Sequence, residues 1–304
     1  MSSQGKTTQP ERVGGRQARD QLLAAMPVTE RQLQLAGVST AVLEGGDGPP
    51  IVLLHGAGEF AAVWIEVIPD LVRTHRVVVP DLPGHGASDV TDSTLDREAV
   101  LTWLHELIGQ TCSGRPPVLS GHLMGGAIAA RYAVEHSQRL SHLLLVDTLG
   151  LGWFRPAPSF ALPMMRFVAR PTPRSRDQLF NRCFLDMGRV GERTGEQWDP
   201  LLAYALDRAR TPGAQAALRR LIPRLGMPPI PPGDLERITV PTTLIHGRHG
   251  LQVRLRTAEK ASARFGWPLH VIEDCRDDPA VEQPEAFLDA LCTAIATSTT
   301  EEER

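Results

Sequence analysis

The stretch Pro117-Val-Leu-Ser-Gly-His-Leu-Met-Gly-Gly-Ala-Ile-Ala-Ala-Arg131 has the pattern of a segment that presents one side chain for chemistry. It reads as a short buried strand (Val118–Ser120), a glycine-tight turn and a helix that opens with small residues. Gly121, Gly125 and Gly126 leave room for a sharp strand-to-helix turn and for close packing of the helix on its neighbours. Such a turn pushes the residue at its crest into a strained position above a sheet. The crest here is Leu123, a hydrocarbon with no lone pair. The side chains left to do chemistry are carboxylates. Glu59 follows His55-Gly-Ala-Gly58, and Asp277 and Asp278 precede Pro279. A carboxylate in an apolar pocket has a raised pKa and can serve as a general base. Asp277 has two readings: such a base, or a turn former that caps a helix or pairs with Arg276 or Arg254. His122 reads as a packed histidine or one bonded to the backbone, since buried polar groups have such partners. His249 reads as a loop residue, His270 as core and Ser120 as a strand residue facing the interior. Cys275 reads as an inert thiol with only Arg276 beside it.

The elements that must position these residues follow from the apolar pattern. Residues 1–20 read as a flexible tail, apart from a short helix from Arg19 to about Pro27. Glu30 to Leu43 alternates polar and apolar residues around Gly37, the pattern of an antiparallel hairpin. Ile51–Leu54, Arg76–Val79, Val118–Ser120, His142–Val146, Thr242–His246 and Leu269–Ile272 are short apolar runs, the mark of strands buried on both faces. Leu95–Ile108 and Pro284–Ala294 have helical periodicity. Strands alternating with helices predict an α/β fold with a mostly parallel, doubly wound sheet. Ligands of such sheets bind outside the carboxyl ends of the strands. His55–Gly58, Leu123, Asp147, Gly250 and Asp277 all fall just past a predicted strand end and should line one crevice.

Residues 151–236 break the pattern, with helical stretches, many prolines and no convincing buried strand. They carry 13 Arg against 8 Asp plus Glu, hence +5 in a chain of net charge −3. They read as a helical cap inserted into a core of 21–150 and 237–298, with a second tail at 299–304. The net charge implies neither nucleic acid nor an anionic membrane as partner. No apolar run reaches the length of a membrane span, and no signal-peptide pattern opens the chain. Cys112, Cys183, Cys275 and Cys292 show neither metal spacing nor a paired framework, so a reduced cytoplasm is expected, with no metal and no cofactor.

Several motifs, in this order, resemble the α/β-hydrolase superfamily of the capped type. His55-Gly-Ala-Gly58 is similar to its oxyanion loop, Asp81-Leu-Pro-Gly-His-Gly-Ala-Ser88 to the loop after the next strand, and Gly121–Gly126 to its nucleophile elbow. His246-Gly-Arg-His-Gly250 is similar to the turn that carries the acid, and Asp274–Phe287 to the segment that carries the catalytic histidine. The resemblance implies an α/β-hydrolase fold with an inserted helical cap. It places Leu123 where the nucleophile stands, Gly250 where the acid stands and Asp277 where the histidine stands. Hydrolysis by this family's route needs all three groups. The resemblance also implies an oxyanion hole made of the Ala57 and Met124 amides, which persists whatever the side chains are. A small apolar or aromatic carbonyl compound is then the expected ligand. Leu123 would be its floor, with His55, Gly56, Phe60, Trp153 and Phe154 around it. Ordinary packing would account for most of the aromatic and Met residues of the cap. The alternatives are an isomerase, lyase or cyclase that uses Asp277 or Glu59 with the oxyanion hole, or a hydrolase with unconventional machinery. The oligomeric state stays open.

Overall fold

The computed structural model describes residues 14–90 and 95–302. Its strands are β1 (Thr29–Leu35), β2 (Val38–Gly45), β3 (Pro50–Leu54), β4 (Arg76–Pro80), β5 (Asp89–Val90), β6 (Val118–His122), β7 (His142–Val146), β8 (Thr242–Gly247) and β9 (Leu269–Ile272). Every residue of β3, β6, β7 and β8 is buried, which is why these strands read as unbroken apolar runs. The nine strands form one sheet in the order β1-β2-β4-β3-β6-β7-β8-β9, with β5 paired to β2. β1, β2 and β4 pair antiparallel, and all pairs from β4 through β3 to β9 are parallel. The predicted hairpin is β1–β2, closed at Ala36 and Gly37, both at positive φ. After β3 the chain adds β4 on one side and β6 on the other. That reversal opens a crevice at the carboxyl ends of β3 and β6.

Helices α1 (Gly15–Ala24), α2 (Arg97–Thr111) and α3 (Met124–His136) precede β7. Helices α4 (Pro158–Ala169), α5 (Pro173–Cys183), α6 (Met187–Thr194), α7 (Trp198–Arg210) and α8 (Pro212–Leu221) lie between β7 and β8, and α9 (Leu255–Phe265) and α10 (Pro284–Glu302) come later. Local signals set several starts. The Asp96 carboxylate accepts the Ala99 N–H ahead of α2, Thr172 and Ser175 form a capping box at α5, and Asp186 caps α6. One core packs α2, α3 and α9 on one face of the sheet, and a second packs α1 and α10 on the other. No described helix is long and apolar enough to cross a membrane.

Three expectations change. The tail expected over residues 1–20 gives way to α1 at Gly15, because Ala18 and Leu22 are buried and Arg19 pairs with Glu30 and, at 3.6 Å, with Asp81. Residues 1–13 lie outside the described part. The closing helix continues through the expected tail to Glu302, and residues 303–304 lie outside the described part. His270 is half-buried rather than core, because β9 is the edge strand with one neighbour.

The insertion docks on the loop after β9. The Asp277 N–H donates to Cys183 O at 3.3 Å, and the Arg276 guanidinium donates to Asn181 O and Phe184 O at 2.9 and 2.7 Å. Inside the insertion Phe184 packs against Phe180 and Trp198, and Phe160 is buried, so these aromatics serve helix packing.

Candidate functional site

β6 ends at His122, α3 begins at Met124, and Leu123 joins them at φ 46° and ψ −108°. For a residue with a Cβ this backbone is strained, at a cost of about 1–3 kcal/mol. Neighbours hold it there. The Leu123 N–H donates to Val146 O at 3.0 Å, and its carbonyl accepts the N–H groups of Ala127 and Leu149 at 3.1 and 3.2 Å. Leu123 occupies the crest, and its side chain is buried. The Ala57 and Met124 amides make no hydrogen bond among the described residues.

Gly250 and Asp277 face each other. A Cβ on Gly250 would lie 3.4 Å from Asp277 Oδ1 and 3.2 Å from His246 Cε1. Asp277 is fully buried, and its Oδ1 accepts the N–H groups of Leu251 and Gln252, each at 2.9 Å. Its Oδ2 has no partner among the described residues. Burial first, and the charge of Asp147 second, push the Asp277 pKa up to about 8, against the pull of the two amides. Of its two sequence readings, the pairing with Arg276 or Arg254 does not occur. The Arg276 guanidinium binds the carbonyls of 181 and 184, and the Arg254 guanidinium has no partner among the described residues. The raised pKa is the one expected of a carboxylate in an apolar pocket, and it leaves the carboxyl largely protonated at neutral pH.

Glu59 is not a base with a raised pKa. Its Oε2 accepts the Gly56 N–H at 2.5 Å and lies 3.2 Å from His122 Nδ1. Burial pushes the Glu59 pKa upward, but the facing His122 outweighs it and holds the carboxyl below its ordinary range. Burial likewise disfavours the charged His122, yet Glu59 and then Asp278 raise its pKa to about 10. The second ring nitrogen, Nε2, donates to Asp277 O at 2.6 Å. His122 therefore ties the oxyanion-type loop to the loop after β9 as a buried cation. Glu59→Gln should cost about 2–3 kcal/mol at pH 7, below the full cost of breaking a buried pair because Glu59 keeps some solvent access. The pair's stabilisation is complete below the ordinary histidine pKa and is lost as pH rises through about 10. Urea unfolding at pH 7 and pH 10.5 should find the wild-type advantage only at the lower pH.

His55 is structural. Its Nδ1–H donates to Gly56 O at 2.8 Å, its Nε2 accepts the Leu82 N–H at 3.0 Å, and burial lowers its pKa to about 4. Glu59, His122 and Asp278 offer donor atoms within 4.8 Å of one another. Glu59 and His122 are already committed to each other, to Gly56 and to the 277 carbonyl, so we assign no metal there.

Sequence reasoning missed one pair. His246 Nδ1 lies 2.9 Å from Asp147 Oδ1, both are buried, and His246 Nε2 has no partner among the described residues. Burial lowers the His246 pKa, but Asp147 more than offsets it and leaves the pKa raised. The signal was available in strand order, since β7 and β8 pair with Val146 opposite Ile245, which sets the next residues side by side.

A cavity of about 390 Å³ opens at the carboxyl ends of β7 and β8, between residues 148–155 and 252–260. Trp153 and Phe154 line it. His55, Gly56, Ala57, Phe60, Leu123 and Met124 do not line it, although Leu149 and Gln252 connect it to Leu123 and Asp277 by hydrogen bonds.

Comparison with known proteins places this geometry. The model of the alpha/beta hydrolase family matches residues 51–290. The chain is 28% identical over 278 residues to the 2-hydroxy-6-oxo-6-(2'-aminophenyl)hexa-2,4-dienoic acid hydrolase of Metapseudomonas resinovorans, covering 88% of this chain and 91% of that one. Its fold is similar to that of 2-hydroxy-6-oxo-6-phenylhexa-2,4-dienoate hydrolase from Rhodococcus sp. strain RHA1, with TM-score 0.77, 24% identity, 88% of this chain and 99% of that chain covered. It is also similar to a serine hydrolase involved in carbazole degradation, with TM-score 0.73, 26% identity, 89% and 99% covered. With the elbow, the sheet order and the helical insertion all in place, the chain belongs to the alpha/beta hydrolase family.

Proposed function

We propose that this chain works without a serine-type nucleophile and holds a small apolar or aromatic carbonyl compound beneath the segment 151–236, which acts as a cap on a core of 21–150 and 237–298. The observation that carries the reading is Leu123 at the strained crest, φ 46°, ψ −108°, where this family presents its nucleophile. Asp277 supports it, because a protonated carboxyl cannot take a proton from a hydroxyl at neutral pH. The unengaged amides of Ala57 and Met124 remain as donors for a carbonyl oxygen. The Metapseudomonas resinovorans relative is named for an oxo acid that carries an aromatic ring, which fits the ligand class. The test is labelling with a fluorophosphonate probe, together with stopped-flow hydrolysis of an activated aryl ester. We expect no stoichiometric label and no burst. A stoichiometric label would locate a nucleophile elsewhere and end the reading.

One observation favours a second reading, a non-hydrolytic proton-transfer enzyme. Asp277 is fixed by two amides on one oxygen, and the other oxygen is free of partners. A fixed acid beside amide donors can protonate or stabilise an enolate. Under that reading Asp277→Asn abolishes turnover and leaves ligand binding intact.

A further inference from the structure

The cavity at the ends of β7 and β8 has a one-sided electrostatic lining. Arg155, Arg254, Arg256 and Lys260 all face it, and no acidic residue does. None of the four side chains makes an ion pair or hydrogen bond among the described residues. This contrasts with other arginines of the chain, since Arg31, Arg76, Arg176, Arg208, Arg248 and Arg264 each have a carboxylate partner. Four like charges gathered without counter-charges repel one another, in a chain whose net charge is −3. The start of the 11-residue helix α9 adds to the same field, because its N-cap, Arg254, supplies no side-chain cap to the first amides. The cavity's other wall is aromatic. Phe154 is partly buried against the core, and Trp153 is 70% exposed beside the cations.

We propose that this cavity binds a phosphate or pyrophosphate ester that carries an aromatic or heteroaromatic ring, as a nucleoside diphosphate does. A single carboxylate would leave three of the four charges unmatched, whereas a pyrophosphate spreads its charge over several oxygens that guanidinium forks grip in pairs. The indole of Trp153 offers a face for the ring. The volume, about 390 Å³, suits a small molecule rather than a polymer, and the net negative charge of the chain repels long polyanions. The inference is independent of what Leu123 does. Even so, the cavity touches the candidate site, because the Gln252 N–H that lines it also holds Asp277 Oδ1.

Titration calorimetry of the full chain with ADP, pyrophosphate, adenosine and benzoate tests it. ADP should bind at one site, pyrophosphate at the same site more weakly, and adenosine and benzoate at least about tenfold more weakly than ADP. Sodium chloride should weaken ADP binding, because the contacts are exposed and screened. The double variant Arg254→Gln/Arg256→Gln should lose about tenfold or more in ADP affinity with its thermal midpoint unchanged or raised, since neither side chain has a partner to lose and the change relieves repulsion among the cations. The variant Arg115→Gln/Arg219→Gln, which removes two exposed arginines elsewhere, should bind ADP as the wild type does. Trp153→Ala should weaken ADP and leave pyrophosphate unchanged. Absence of ADP and pyrophosphate binding at low salt would overturn the proposal, as would ADP binding that survives the Arg254/Arg256 change. Tighter binding of benzoate than of pyrophosphate would overturn it in favour of a carboxylate site. Fluorophosphonate labelling reads Leu123 separately, so either idea can fail alone.

Discussion

Gly125→Ala should prevent folding or cost about 4 kcal/mol or more, the scale of overpacking against atoms that cannot yield. A Cβ at this position would stand 2.4 Å from Leu54 O and 2.6 Å from His55 O. Both are main-chain atoms at the end of β3, where Leu54 is paired with Gly121 of β6 in the parallel ladder. No rotamer can move them aside. Backing α3 away would pull Leu123 off its hydrogen bonds to Val146 and Leu149 and open the crevice floor. Gly213→Ala is the matched control. It also lies in a helix, α8, but a Cβ there meets nothing within 4 Å, so the change should be neutral or gain up to about 1 kcal/mol. Thermal unfolding of the two variants separates crowding at the elbow from a general cost of side chains on helical glycines. A Gly125→Ala protein that melts within a few degrees of wild type would mean that the β3 end and α3 can part.

The same crowding explains how much of the site the sequence displays. Small residues at Gly121, Gly125 and Gly126 are demanded by local sterics, so the turn and its crest can be read from one short stretch. The strands that feed the crevice are legible because burial on both faces leaves continuous apolar runs. The facing of Gly250 and Asp277 is within reach too, since each follows a strand and β8 neighbours β9. What stays hidden depends on pairs far apart in the chain. Glu59 and His122 are 63 residues apart, and His122 meets the 277 carbonyl across 155. Only the placing of β6 beside β3 joins the first pair, and the charge state of the histidine follows from that meeting, not from its neighbours in sequence. Asp147 and His246 are also far apart in the chain, but the pairing of β7 with β8 sets them side by side, so they are within reach as Gly250 and Asp277 are. The start of α1 misleads in the opposite sense. It is polar and rich in Arg and Gln, yet Arg19 finds Glu30 and Asp81, and two buried apolar residues are enough to dock it.

Asp277→Asn should make the protein more stable than wild type at pH 8 and bring the two closer at pH 5. The carboxyl is fully buried, and burial together with Asp147 raises its folded pKa to about 8, while in the unfolded chain it titrates as an ordinary aspartate. The sign follows from which state holds the proton. Below the ordinary aspartate pKa both states are protonated and no penalty exists. As pH rises from there to about 8 the unfolded chain releases its proton while the folded chain keeps it, so stability drains away; above about 8 the loss is complete. Each pH unit inside that window removes about 1.4 kcal/mol, so the difference between variant and wild type should widen by about 4 kcal/mol from pH 5 to pH 8. The groups that face Asp277 electrostatically, Asp147 and His122, are common to both proteins and largely cancel in that difference. Asparagine keeps an oxygen for the Leu251 and Gln252 amides and puts its NH2 where the unpartnered Oδ2 stands, so the change removes a titration and little else. Guanidinium unfolding of both proteins at several pH values measures it. A constant difference across the window would mean that Asp277 is ionised in the folded chain. It would then be able to accept a proton at neutral pH, and both readings of the site that treat it as a held acid would fall.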